Sequence, residues 1–158
     1  MAYTRWNKVN PDANKAICGA FRPDFVWDLQ HRVVILEIDE FQHKSDNYIP
    51  RCELVRVAKI VEGCGAIPVH IVRYNPDAFK MGGVTRRTTY MERLALLKGQ
   101  LSAALLSTDF ENQIVVQHLW FDQEIAGDFV TTQCFKTLEE YEVWVEKVCP
   151  SEVATVDL

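Results

Sequence analysis

Four acidic residues fall in the first third of the chain at spacings that suit metal chemistry: Asp24, Glu37, Asp39 and Glu40, with Gln42 and His43 just beyond. Glu37 interrupts an apolar, largely β-branched run from Val33 to Ile38, the composition of a strand. Alternation along that strand puts Val33, Ile35, Glu37 and Asp39 on one face and Val34, Leu36 and Ile38 on the other. Asp24 opens a second apolar segment, Phe25 to Leu29. If the two segments pair about a two-residue turn at Gln30-His31, Asp24 lies opposite Glu37, with Cβ atoms ~5 Å apart. Gln-His is not a favoured pair for such a turn, so the register is the point to check. Like charges facing each other destabilise a sheet unless a cation or a shared proton removes the repulsion. The expectation is therefore that Asp24, Glu37 and Asp39, with the Ile38 carbonyl, hold Mg²⁺ or Mn²⁺, which prefer oxygen ligands. The plainer reading is that Asp39 and Glu40 merely end a strand in solvent.

The residues around this cluster suit hydrolysis of a phosphodiester. His43 is the candidate general acid or base, because imidazole titrates near neutral pH; its plainer role is to cap the next segment. Gln42 and Lys44 are placed to orient water or phosphate. Glu53 and Arg56, three apart on a helix that Pro50 opens, share one helix face. They read either as an exposed ion pair of small energetic value or as an orienting carboxylate beside a phosphate-holding arginine. Arg73, at the end of a third strand over Ile67–Tyr74, is the expected phosphate contact, and Arg86 and Arg87 add backbone contacts from a basic loop.

Taken together these segments resemble a known family. Pro23-Asp24, a hairpin, then Glu37-Ile38-Asp39 resembles the core of PD-(D/E)XK nucleases, the restriction-endonuclease-like fold. The fuller set is Arg22-Pro23-Asp24, Glu37 through His43, Tyr48, Cys52-Glu53, Arg56 and Ile71 through Asp77. It is similar to a branch of that superfamily found in large DNA viruses and algae, over about residues 20 to 80. The resemblance implies a metal-dependent endonuclease acting on nucleic acid, with DNA expected, and leaves a homodimer open. One departure is chemical: Asp39 stands where the superfamily has lysine, so the basic role is lost or has moved to His43 or Lys44. Very-short-patch repair endonucleases, in the same superfamily, also dispense with that lysine and use histidine.

The elements needed to position these groups follow from the rest of the chain. A helix from Pro50 to about Glu62, closed by Gly63, buries Leu54, Val57, Ala58 and Val61. Lying between two strands, it permits a parallel crossover and hence a mixed sheet. Residues 80–87 read as a flexible loop, and a helix from Thr88 or Thr89 to Leu106 buries Met91, Leu94, Leu97, Leu101 and Leu105. Strands over 113–122 and 127–135 follow, His118 reading as a core or edge histidine rather than a ligand. Thr137 and Glu140 form a capping box for a last helix ending near Cys149. Earlier in the chain, residues 11–18 read as a short helix. The fold expected is α/β: a restriction-endonuclease-like core, a mixed sheet flanked by helices, with C-terminal strands and a helix. All of it makes one domain over 1–158, with a core at about 20–122 and an acidic extension at about 123–158.

At 48% hydrophobic and 25% charged residues the chain can build a core, which excludes wholesale disorder. No membrane span or secretory signal is evident, and an intracellular protein is expected. The five cysteines contain no C-x-x-C, so reduced thiols are expected rather than a zinc site or a disulfide framework. The net charge of −5 conceals an asymmetry. Residues 1–100 hold 15 Lys and Arg against 11 Asp and Glu, and the rest holds 2 against 11. The half with the acidic cluster is thus basic, which suits a phosphate backbone partner. Two other classes compete: a nuclease-fold module that binds nucleic acid without cutting it, and a metal-dependent hydrolase with a nucleotide or protein substrate.

Overall fold

A computed structural model describes residues 23–43 and 50–150. Strand β1 (Phe25–Asp28) turns through Gln30 and His31 into β2 (Val33–Ile38), antiparallel, with Phe25 opposite Leu36 and Val26 opposite Ile35. This is the register expected from a Gln30-His31 turn. Asp28 makes the unusual turn workable. Its Oδ1 accepts the Gln30 amide at 2.9 Å while Gln30 sits at φ 71°, and Leu29 N donates to Arg32 O at 2.9 Å.

After a 3-10 turn at Glu40–His43, helix α1 (Pro50–Cys64) crosses to β3 (Val69–Tyr74), which lies parallel to β2. The hairpin β4 (Phe79–Met81) and β5 (Val84–Arg86) leads to α2 (Tyr90–Leu106), then β6 (Ile114–Leu119), β7 (Val130–Phe135) and α3 (Leu138–Val148). The five-stranded sheet runs β1-β2-β3-β6-β7, with β2, β3 and β6 parallel and both outer strands antiparallel to their neighbours. The architecture is therefore α/β with a mixed sheet. The stretch after residue 122 is built into it: β7 pairs with β6, and Phe135, Tyr141 and Val145 join the core.

Alternation divides the core as expected. Val33, Ile35, Val69, Ile71, Ile114 and Val116 pack against Val57, Ile60 and Val61 of α1 and Tyr141 and Val145 of α3. Val34, Leu36, Val72, Tyr74 and Leu119 face the opposite way, toward Phe79, Met81, Trp120 and Ala104 of α2. No helix among the described residues is long and apolar enough to cross a membrane.

Several boundaries differ from the sequence expectation. Helix α1 continues to Cys64, and Gly65 at φ 67° reverses the chain in place of Gly63, a conformation glycine adopts without a Cβ clash. Residues 80–87 are no loose loop: Gly82 and Gly83, at φ 57° and 78°, make the tight turn of a hairpin. On α2 the stripe facing the sheet runs through Arg93, Leu97, Leu101 and Ala104. Met91, roughly 160° round the helix from Arg93, is 72% exposed, and Leu94 is exposed as well. Thr137 caps α3 by accepting from Glu140 N, but Glu140 returns to Lys136 N, so the expected box is half formed. The full box is at Thr89 and Glu92. Cys52 is disulfide-bonded, correcting the expectation of reduced thiols for this residue, while Cys64, Cys134 and Cys149 form no disulfide. The helix expected over 11–18 lies outside the described residues.

Candidate active site

The site lies at the C-terminal ends of β2 and β3, where β2 releases Asp39 and the 3-10 turn. The parallel register sets Glu37 beside Arg73, and β6 sets His118 on the other side of Arg73. Helix α1 lies over this face and lowers Glu53 and Arg56 onto it. Glu37, Asp39 and Arg73 are all buried, Asp39 to 1% exposure.

Two arginines bridge three carboxylates. Arg73 Nε and Nη2 donate to the two oxygens of Asp39 at 2.7 and 2.9 Å, a bidentate pair. The same Nη2 reaches Glu53 Oε2 at 3.3 Å. Arg56 donates from Nη2 to Glu37 Oε1 at 2.6 Å and from Nη1 to Glu53 Oε2 at 3.4 Å. Glu53 therefore ties the two arginines together. Helix α1, β2 and β3 are cross-linked by this chain of ion pairs, with only the Arg56 Nε–H buried and unpartnered.

Asp24 stands apart. It is exposed, and its Oδ2 accepts the Ile38 amide at 2.8 Å. Extending the hairpin register sets it opposite Glu37 and sets Pro23 opposite Ile38. Proline carries no N–H, so that residue cannot donate to the Ile38 carbonyl. Glu37 feels the crowding. Its carboxyl is pushed up to about 7, first by burial, against the lowering effect of Arg56, with Asp24 and Asp39 adding to the rise. His118 is driven the other way, to about 4, by burial and by Arg73, and is neutral, with its ring edge-on to Phe121 at 4.9 Å.

No family model matches the chain, and neither does any curated protein or solved structure.

The residues singled out in the sequence are thus sorted. Asp24 and Glu37 come together as expected. Asp39 joins them on the same face, but both its oxygens are committed to Arg73. The described residues contain no group of three or more His, Cys, Asp or Glu able to hold a metal ion, so the expected trio is replaced by an ion-pair network. Arg56 and Arg73 point inward to carboxylates and are not presented to a phosphate. Glu53 orients both arginines, beyond the surface pair it was weighed against. Glu40 is exposed. Gln42 is clamped: its Nε2 donates to Asp122 Oδ1 and its Oε1 accepts Asp122 N, both at 2.8 Å. Arg86 and Arg87 are exposed at the end of the hairpin. The His43 side chain and Lys44 lie outside the described residues.

Three further residues build the frame: Asn75, which the sequence marks as a turn residue, and Asp122 and Arg93, which sequence reasoning passed over. Asp122 holds Gln42 and also accepts Lys80 N at 2.7 Å. Asn75, fully buried, donates to Trp120 O at 2.6 Å and accepts Asp77 N at 2.9 Å, fixing the exit from β3 against the end of β6. Arg93 donates to Asn75 O and Asp77 O at 2.6 and 2.7 Å and stacks over Trp120 at 5.3 Å. The signal for Arg93 was present: a charged residue on the apolar stripe of its helix. For Asp122 there was none.

Proposed function

We propose that the chain is a metal-dependent phosphodiesterase acting on nucleic acid, with DNA expected, on a restriction-endonuclease-like core. Asp24 and Glu37, with the Ile38 carbonyl, hold Mg²⁺ or Mn²⁺. The observation that carries this is the charge left over. Among the described residues, three carboxylates (Glu37, Asp39, Glu53) meet Arg56 and Arg73, while the bond that Asp24 makes is to the Ile38 amide. Counted over these described groups with Glu37 ionised, the cluster is two charges negative, which one divalent cation neutralises. Oxygen donors from two carboxylates and a carbonyl suit a hard cation that keeps most of its own waters. Such an ion, when bound, supplies a water of lowered pKa and neutralises charge building on the scissile phosphate.

The chain's own residues do the rest. The Ile38 amide fixes the Asp24 carboxylate. Arg56 and Arg73, tied together by Glu53, hold Glu37 and Asp39 in place beside the exposed Asp24. His43 is the last residue of the 3-10 turn and is the assigned proton carrier. Labelled oligonucleotides incubated with Mg²⁺ or Mn²⁺ test this. Cleavage by the wild-type chain, stopped by EDTA and abolished in Asp24→Asn with folding intact, is expected. Unchanged cleavage by that variant removes Asp24 from the site.

A second reading has its own observation. Arg56 on Glu37 and Arg73 on Asp39 already compensate the positions an active centre would expose, as in a module that binds nucleic acid without turnover. Binding without cleavage across Mg²⁺, Mn²⁺ and Co²⁺ selects it.

A further inference from the structure

The end of the sheet opposite the candidate site carries a feature that neither reading uses. Because β2, β3 and β6 are parallel, their starts at Val33, Val69 and Ile114 lie together, away from Glu37, Arg73 and His118 at the other end. A cavity of about 140 Å³ opens between these starts and the chain that leaves α2. The register lays His70, Val115 and Cys134 side by side along it. Pro68, Val69 and Val115 give it an apolar wall, and Ser107, Asp109 and Asn112 come from the loop after α2.

Arg32 lines this cavity as a buried cation without a counter-charge. It is 3% exposed. Its Nη1 donates to Ala104 O at 3.2 Å, its Nη2 donates to Asp109 O, and its guanidinium lies over the Phe110 ring at 5.1 Å. Among the described residues no carboxylate pairs with it, and its Nε–H has no partner. Charged side chains are rarely buried this far unless paired, and the carbonyls at a helix end supply only about half a charge. The buried acids Glu37 and Asp39 each have an arginine. Arg93, the other arginine held by carbonyls, is covered by the rings of Phe79 and Trp120, whereas Arg32 borders open space. The lining acid, Asp109, has its Oδ1 taken by the Glu111 amide at 2.9 Å. His70 adds no charge: burial first, and then Arg32, hold its ring below the ordinary value against the pull of Gln117, so it is neutral at pH 7.

We propose that this cavity binds a small organic acid, with its carboxylate on Arg32 and its apolar body against Pro68, Val69 and Val115. The inference is independent of the nuclease reading. A guanidinium offers a carboxylate charge-assisted bonds that a neutral ligand cannot match. Asn112, whose side-chain amide makes no bond among the described residues, is a second donor on the same cavity. Size sets the rest. An apolar cavity of about 150 Å³ holds one benzene molecule, so the occupant is of the order of benzoate. A bare inorganic anion would leave the apolar wall wet, and a larger acid would not fit.

The test is titration of the isotope-labelled full chain with benzoate, benzyl alcohol and inorganic phosphate, read as amide shifts in two-dimensional NMR spectra. Benzoate is expected to shift the amides of His70, Asn112 and Val115 saturably, with half-saturation at about 1 mM or below. Benzyl alcohol, of similar size without the charge, should need at least about tenfold more. Arg32→Gln should weaken benzoate about tenfold or more. Because Arg32 also holds the end of α2, a second variant leaves it in place. Cys134→Trp, at an exposed position that lines the cavity, fills the opening and should abolish the shifts. Should Arg32→Gln unfold, Cys134→Trp decides alone. No saturable shift with benzoate, benzyl alcohol bound as tightly, phosphate bound as tightly (an adventitious ion only), or binding that survives Cys134→Trp each overturns the organic-acid site.

Discussion

Arg73 is the residue whose loss most directly tests the ion-pair network. In Arg73→Met the aliphatic stem still fills its place under α1, but Asp39, at 1% exposure, loses both charge-assisted bonds, and Glu53 loses one. Removing one partner of a buried pair costs about 3–5 kcal/mol, because the remaining charge stays desolvated. With a urea m-value of roughly 2 kcal/mol/M, the midpoint should fall by about 1.5–2.5 M. Arg51→Met is the reference. Its pair with Glu146 is partly exposed, with side chains at 30% and 54%, so its loss should be clearly the smaller of the two. The decisive variant is the double one. Replacing Asp39 by Asn in the Arg73→Met background removes the stranded charge, so it should recover part of the loss rather than add to it. Urea titrations at pH 8, with m-values compared to establish two-state behaviour, give these quantities. An Arg73→Met variant within 1 kcal/mol of wild type, or a double variant whose losses simply sum, refutes the network as a buried, mutually dependent unit.

Other outcomes follow from single groups. Glu37 has a folded pKa of about 7 against an ordinary 4.5, so the native state binds a proton that the unfolded chain releases between those values. Its contribution is present in full below about pH 4.5 and is lost as pH rises through 7, at most about 3 kcal/mol, while Glu37→Gln shows no such decline; equal wild-type and variant pH slopes would refute it. Gly99→Ala, in the interior of α2 with nothing within 4 Å of the added Cβ, should raise stability by about 0.5–1 kcal/mol, read as a higher Tm. Gly65→Ala is equally uncrowded but must hold φ 67°, so it should cost about 1 kcal/mol, and Gly65→Asn less. Asp122→Ala frees the Lys80 amide, whose hydrogen exchange should speed while that of the Val72 amide, in the fully buried middle of β3, stays unchanged.

What could be read from the sequence was local. The hairpin register followed from period-two alternation and the position of the turn; both faces of β2 are buried, and a one-residue slip would exchange its two core clusters and turn Glu37 and Asp39 to the other face. The parallel crossover followed from a helix-length segment between two apolar runs. What escaped was the pairing of elements far apart in sequence. Alternation puts Arg73 on the face of Val69 and Ile71, yet an arginine at a strand end reads as a ligand for phosphate. Only the parallel register, which sets it beside Glu37 and within reach of Asp39, turns it inward. Arg56 was likewise placed beside Glu53 correctly, but the tilt of α1 that brings it to Glu37 is a tertiary fact. The hairpin at residues 79–86 was hidden because its strands have three residues each and alternate too briefly to register as a period.

Asp39 and the inward turn of Arg73 have one physical explanation. Asp39, buried at the end of β2, demands a positive charge, and Arg73 on the neighbouring strand delivers it bidentately. That leaves Glu37 as the point of competition. Arg56 holds one of its oxygens, burial and Asp24 favour its proton, and a divalent ion would require the carboxylate. Burial keeps the three in balance near neutral pH: a more exposed glutamate would ionise outright, and one without Arg56 would stay protonated. If a divalent ion binds as proposed, it competes with the proton at this one side chain, so its affinity should rise as the solution becomes more basic, and Arg56 sets where that exchange occurs.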